Sequence, residues 1–188
     1  MLDFWFGAQD SAEFGQSRRE WFRKSPAFDD EIRRRFGELH RLFATDRMVE
    51  VDPAWISTPE RIVAAIVVLD QFSRNLERRT PRAYENDRRA LSSANELVGS
   101  GRDRRLPLVM RQFAYLPFEH CEDRQIQQRS VRLFEQLASD GLDEPLDYAL
   151  RHRDVIERFG RFPHRNDVLG RASTVSEIEF LKQPGSRF

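Results

Sequence analysis

Apolar side chains recur every three or four positions along this chain, and no stretch alternates convincingly as a strand would. Phe28, Ile32, Phe36, Leu39 and Phe43 form one such stripe, which predicts a helix from Pro26 to about Phe43. Ile62, Val63, Ile66, Val67 and Leu69 make the segment of about 59–75 apolar nearly all round, the mark of a central buried helix. Thr58 can cap that helix, with Pro59 at its first position. Further helices are expected over about 83–98, 106–119 (striped by Val109, Phe113 and Leu116) and 124–138 (with Asp123 as N-cap). Pro117 should kink or end the second of these. From Asp147, Ala149, His152, Ile156 and Phe159 share one face of a helix that breaks at Gly160, and a short helix is expected at 165–169. Thr174-Val-Ser-Glu177 reads as a capping box opening a last short helix to Lys182.

Between these lie the connections. Leu2–Gly7 is read as too short for a helix, with Phe4, Trp5 and Phe6 tucked against the body of the fold, and 7–15 as a loop. Arg18–Arg23 is a short helix, 45–57 a link containing Asp52-Pro53, and Arg78–Arg82 a turn. The class is therefore all-α: antiparallel helical hairpins with short links, in a single domain over 1–188. No clean repeat of tetratricopeptide length is present.

Charge narrows the function classes. A third of the residues are charged, yet 31 basic and 31 acidic side chains balance, so the diffuse positive field behind nucleic-acid binding is missing and no nucleic-acid partner is expected. All but two of the basic residues, Lys24 and Lys182, are arginines, which suit two-point recognition of carboxylate or phosphate. The longest apolar run, Ile62–Leu69, is far short of a membrane span, and MLDFWFG has no signal-peptide pattern. With one cysteine, Cys121, no intrachain disulfide or thiolate zinc cluster can form, and a reduced cytoplasmic protein is expected.

Three polar clusters interrupt the helical pattern. In Asp70-Gln-Phe-Ser-Arg74-Asn75 an i,i+4 ion pair ends the buried helix. In Glu119-His120-Cys121-Glu122-Asp123, neighbours point apart and are not expected to close on one metal, so no metal or other cofactor is assigned. The third, Arg161 to Asn166 with His152 and Arg171, gathers cations and amide donors of a kind that favours an anion. Phe72-Ser-Arg74-Asn75 and Phe162-Pro-His-Arg165-Asn166 echo each other, and if both converge they form a pocket of two guanidiniums and two amides. No glycine-rich phosphate loop, GxSxG elbow or HExxH motif occurs.

LDFWFG at 2–7, WF at 21–22, LDQFSRN at 69–75, YLPFEHCED at 115–123 and HRDVIERFGRFPHRN at 152–166 resemble a mainly bacterial family, domain of unknown function nine-two-four. The resemblance runs from residue 2 to PGSRF at 184–188. It implies a tetratricopeptide-like, right-handed helical array and carries no established activity or catalytic residue. Cys121 stands where the family often has serine, and Ser73 where it often has proline.

The leading expectation is a binding protein holding a small anionic ligand or an acidic peptide end, with Arg74, Asn75, His152, Arg161, His164, Arg165 and Asn166 as ligand-binding residues. In it Arg74 and Arg165 clamp, Asn75 and Asn166 orient, and His164 tunes affinity with pH. The rival is a hydrolase or transferase with His120 or His164 as general base, oriented by Asp70 or Glu119. A third reading makes the polar motifs inter-helix clasps of a protein-interaction module. Oligomeric state is left open.

Overall fold

The computed structural model describes residues 1–45 and 57–186, so all of the expected 45–57 link but its two end residues lies outside them. Eight helices form among the described residues, and no strand. They are α1 (Leu2–Phe6), α2 (Pro26–Ala44), α3, α4 (Asp87–Gly99), α5 (Leu108–Glu119), α6 (Arg124–Ser139), α7 (Glu144–Phe159) and α8 (Val175–Leu181). Helix α3 is continuous but irregular: Pro59–Ile66 is α-helical, Val67–Phe72 is π-helical, and Ser73–Leu76 returns to α. Short 3₁₀ turns occupy Arg19–Trp21, Pro81–Ala83, Arg102–Arg105 and Pro163–Arg165.

Helix α3 is central, as its all-round apolarity predicts. Ile62 to Phe72 is buried without interruption, against α2, α4 and α5. Helix α5 is as deeply placed: every residue from Val109 to Glu119 is buried, including Arg111, Gln112 and Glu119. Its striped pattern marked only one inward face. Helices α5, α6 and α7 then pack in succession, and their short links require antiparallel hairpins.

Several boundaries differ from expectation, each for a local reason. Leu2–Phe6 does form a helix, closed by Trp5 N–H to the Met1 carbonyl (3.1 Å) and Gly7 N–H to the Asp3 carbonyl (3.0 Å). Alone it would not nucleate. Burial holds it: the Trp5 ring lies 5.7 Å from Phe28, 5.5 Å from Phe72 and 5.6 Å from Phe113, and Trp21 Nε1 donates to the Trp5 carbonyl at 3.1 Å. Helix α4 starts at Asp87 because Pro81–Ala83 first winds a 3₁₀ turn. Helix α7 begins earlier than Asp147, with Pro145 in its first turn. Pro117 does not end α5 at once, and two more residues remain helical. The short helix expected at 165–169 does not form, and 166–170 is a series of turns reaching Gly170 at φ +65°. The capping box at Thr174–Glu177 is present.

Where α1 ends, Gly7 adopts φ +84°, ψ 153°, and a β-carbon there would lie 2.9 Å from the backbone of both Glu13 and Phe14. Gly7→Ala therefore combines a glycine-only conformation with a backbone clash. It should cost about 2 to 4 kcal/mol and lower the melting temperature by roughly 5 to 15 °C, read by thermal denaturation.

Candidate functional site

The wide π-helical turn of α3 surrounds Asp70, which is almost wholly buried. Inserted π turns of this kind re-aim side chains and occur often at functional positions. Asp70 Oδ2 accepts from Gln71 Nε2 at 2.6 Å, and Oδ1 accepts from His120 Nδ1 at 2.7 Å. Arg74 Nη1 lies 3.1 Å from Oδ1, as the i,i+4 spacing predicts, and also donates to the Asp70 carbonyl at 2.9 Å. Burial alone would raise the Asp70 carboxyl, but Arg74 and His120 outweigh it and hold the group below the usual carboxylate range. An ionised carboxylate only accepts, so His120 Nδ1 carries the proton.

Arg74 continues to a second carboxylate, donating to Asp87 Oδ1 at 2.8 Å and Oδ2 at 3.1 Å. Arg165, from the 3₁₀ turn after α7, reaches the same Asp87 Oδ2 at 3.2 Å. Its guanidinium is sandwiched 4.6 Å from the Tyr84 ring and 4.6 Å from Phe162. The two arginines of the sequence echo thus meet on one aspartate. Asp87 and Tyr84 were not singled out in the sequence, where Asp87 shows only as an acidic residue in a first helical turn.

On the other side of His120 stand Glu119 and His152. The His152 Nδ1 donates to the Tyr148 carbonyl at 2.8 Å and lies 3.3 Å from Glu119 Oε1. The His120 and His152 rings are 6.2 Å apart. One ligand atom from each of Glu119, His120 and His152 falls within 4.8 Å of the others. The 119–123 neighbours do not all close on one centre, as expected, but Glu119 and His120 do approach each other: α5 ends between them, and the third group arrives from α7. Burial, aided by Asp70, pushes the Glu119 carboxyl up to about 8. Burial lowers both His120 and His152.

A family model for a bacterial protein of unknown function (DUF924) matches residues 1–185. The chain belongs to DUF924. A solved structure, a protein of unknown function (ATU0120) from Agrobacterium tumefaciens, is similar at TM-score 0.78 and 40% identity, over 87% of this chain and 88% of that one. No curated protein matches.

The remaining expected ligand residues of this DUF924 chain are held elsewhere. Asn75 Nδ2 donates to Asp29 Oδ1 at 2.7 Å, on a carboxylate shared with Arg78. Asn166 donates to Ser173 Oγ and accepts from Arg171 Nε, both at 3.0 Å. The pocket of two guanidiniums and two amides therefore does not assemble; both amides clasp neighbouring segments instead. Arg171 closes on Glu122 at 2.6 and 2.9 Å. Arg161 closes on Glu177 at 2.7 and 2.9 Å, tying the end of α7 to α8. Burial, then Arg165 and Arg74, push His164 down to about 3, which favours its neutral form through the physiological range and speaks against the expected pH tuning. Burial raises the Cys121 thiol, which disfavours a thiolate nucleophile. A cavity of about 330 Å³ lined by Asp103, Arg104, Tyr115, Arg129 and Arg132 among others includes none of these site residues.

The Arg161–Glu177 clasp has a pH signature. Arg161, with the Thr174 groups, holds the Glu177 carboxyl at about 2 against an ordinary 4.5. A depressed folded-state value means the stabilisation is complete above pH 4.5 and vanishes as pH falls toward 2. Glu177→Gln should cost about 1 to 2 kcal/mol at pH 7 and almost nothing at pH 2 relative to wild type, measured by denaturant unfolding at both pH values.

Proposed function

We propose that this protein binds a small anionic ligand, or the acidic end of a peptide, at Arg165, with Arg74 alongside. The observation that carries this reading is how poorly Arg165 is satisfied. Its side chain is 7% exposed, yet it donates one hydrogen bond and its Nε is buried with no partner among the described residues. A guanidinium has five N–H donors, and each one buried without an acceptor costs about 1 to 3 kcal/mol. Burial and the charge of Arg74 also pull the Arg165 pKa down, the sign of a cation short of negative charge. Arg74, by contrast, is paired with two carboxylates, Asp70 and Asp87. A phosphate- or carboxylate-sized group beside Arg165 supplies the missing acceptors through charge-assisted bonds.

The surrounding motifs serve as clasps that keep this arrangement rigid, on a tetratricopeptide-like array of hairpins in a cytoplasmic protein. A small anion is favoured over nucleic acid by the balanced charge. No helix among the described residues is long and apolar enough to cross a membrane. The rival hydrolase or transferase reading has a close carboxylate partner for His120, in Asp70.

A thermal-shift screen with inorganic phosphate, phosphorylated metabolites, carboxylates and acidic peptides tests the proposal. A ligand at about a hundred times its dissociation constant adds roughly 2.7 kcal/mol, which is a rise of roughly 5 to 10 °C for a chain of this size. The shift should vanish in Arg165→Ala and persist in Arg104→Ala, which alters the separate cavity. The opposite pattern, or no shift across the panel, overturns it.

A further inference from the structure

We propose that Glu119, His120 and His152 form a binding site for one divalent transition-metal ion of the zinc type. The inference is independent of the anion reading at Arg165. The three residues come from two helices: Glu119 closes α5, His120 caps it, and His152 projects from α7. Their ligand atoms lie within 4.8 Å of one another. In a tetrahedral site two ligand atoms each about 2.1 Å from the ion stand about 3.4 Å apart, so the widest pair of the trio closes by up to about 1.4 Å, a movement that side-chain rotation can supply.

Two observations separate this cluster from an ordinary buried polar network. The first is Glu119, which is 4% exposed and has one carboxylate oxygen, Oε2, buried with no hydrogen-bond partner among the described residues. Asp70 and Asp87 are each answered by guanidiniums. Among the described residues no guanidinium pairs with Glu119, so a cation is what the group lacks. The second is how the imidazoles are held. Nδ1 of His120 donates to the Asp70 carboxylate and Nδ1 of His152 to the Tyr148 carbonyl. Such acceptors behind the ring fix the orientation of metal-ligating histidines and raise their basicity. In His120 the arrangement makes Nε2 the ligand atom.

Two imidazoles and one carboxylate suit Zn²⁺ and neighbouring first-row divalent ions. Mg²⁺ and Ca²⁺, which take oxygen ligands, are disfavoured. Three protein ligands leave at least one coordination position for water or an exogenous group.

The test uses the full chain after chelator treatment, titrated with Zn²⁺ in competition with a chromophoric chelator, and with Co²⁺ read by its visible absorption. One ion per chain is expected, with Mg²⁺ and Ca²⁺ unable to compete. Glu119→Gln and His152→Gln should each weaken Zn²⁺ binding more than about 100-fold, and Asp70→Asn, which removes the charged acceptor behind His120 and the partner of Arg74 but no ligand atom, about 10- to 100-fold in a variant that keeps the wild-type circular dichroism. His164→Gln should leave it unchanged. Glu119→Gln replaces a buried carboxylate by a neutral isostere, so the metal-free variant should keep wild-type helical circular dichroism; His152→Gln decides the matter should it not. Absence of stoichiometric uptake, or uptake that survives in the folded ligand variants, overturns the proposal.

Discussion

The polar network that joins α3, α4, α5 and the turn after α7 is arranged around one buried carboxylate. Asp70 sits inside the central helix, where an isolated charge would be expelled or neutralised. It persists as a carboxylate because Gln71, Arg74 and His120 all reach it. Two of those partners then commit other parts of the chain. Arg74 fixes Asp87 and hence the start of α4, Asp87 receives Arg165 from beyond α7, and His120 stands at the junction of Glu119 and His152. A buried network of this kind is weak evidence for net stability, because desolvation offsets much of the attraction. Its effect is on specificity: misplacing one member strands a charge, which leaves one low-energy arrangement of α3, α4, α5 and α7.

Around that network the protein separates two tasks that look alike in sequence. Asp29 with Asn75 and Arg78, Glu122 with Arg171, and Glu177 with Arg161 are compact ion pairs or clasps whose hydrogen bonds are well supplied. They hold segment to segment. The Arg165 guanidinium and the Glu119 carboxylate differ because each keeps a buried polar atom without a partner among the described residues. Buried groups of this sort are uncommon in folded proteins and mark the positions where a missing ligand makes physical sense. The two groups are of opposite charge, and their implied ligands are of opposite charge too.

Membership of DUF924 and the similarity to a solved bacterial structure establish the company this chain keeps. Neither carries an assigned chemistry. The reading of function therefore rests on which polar atoms the fold leaves unsatisfied, a criterion that does not depend on analogy.

Much of the architecture was legible in the sequence because it is decided locally. Apolar spacing, the Thr58 and Asp123 caps, and the Thr174–Glu177 box all act within one or two helical turns, and the helices they predict are present. The Asp70–Arg74 pair was legible for the same reason. Locality also explains the errors. The helix at Leu2–Phe6 exists only because distant aromatics bury Trp5, and the π turn at Val67–Phe72 has no spacing signature that survives an all-apolar segment. The candidate site was half legible: the sequence marked the unusual polar residues, but apart from Asp70 with Arg74 it did not say which of them pair. Asn75 and Asn166 looked equivalent to Arg74 and Arg165, yet only the arginines meet, through an Asp87 that resembled a routine helix-start acid. By itself the sequence determined which segments are helical and which polar residues are unusual. Only the tertiary structure decided which of them face each other, because those contacts join residues far apart in the chain and hang on packing angles that no local pattern encodes.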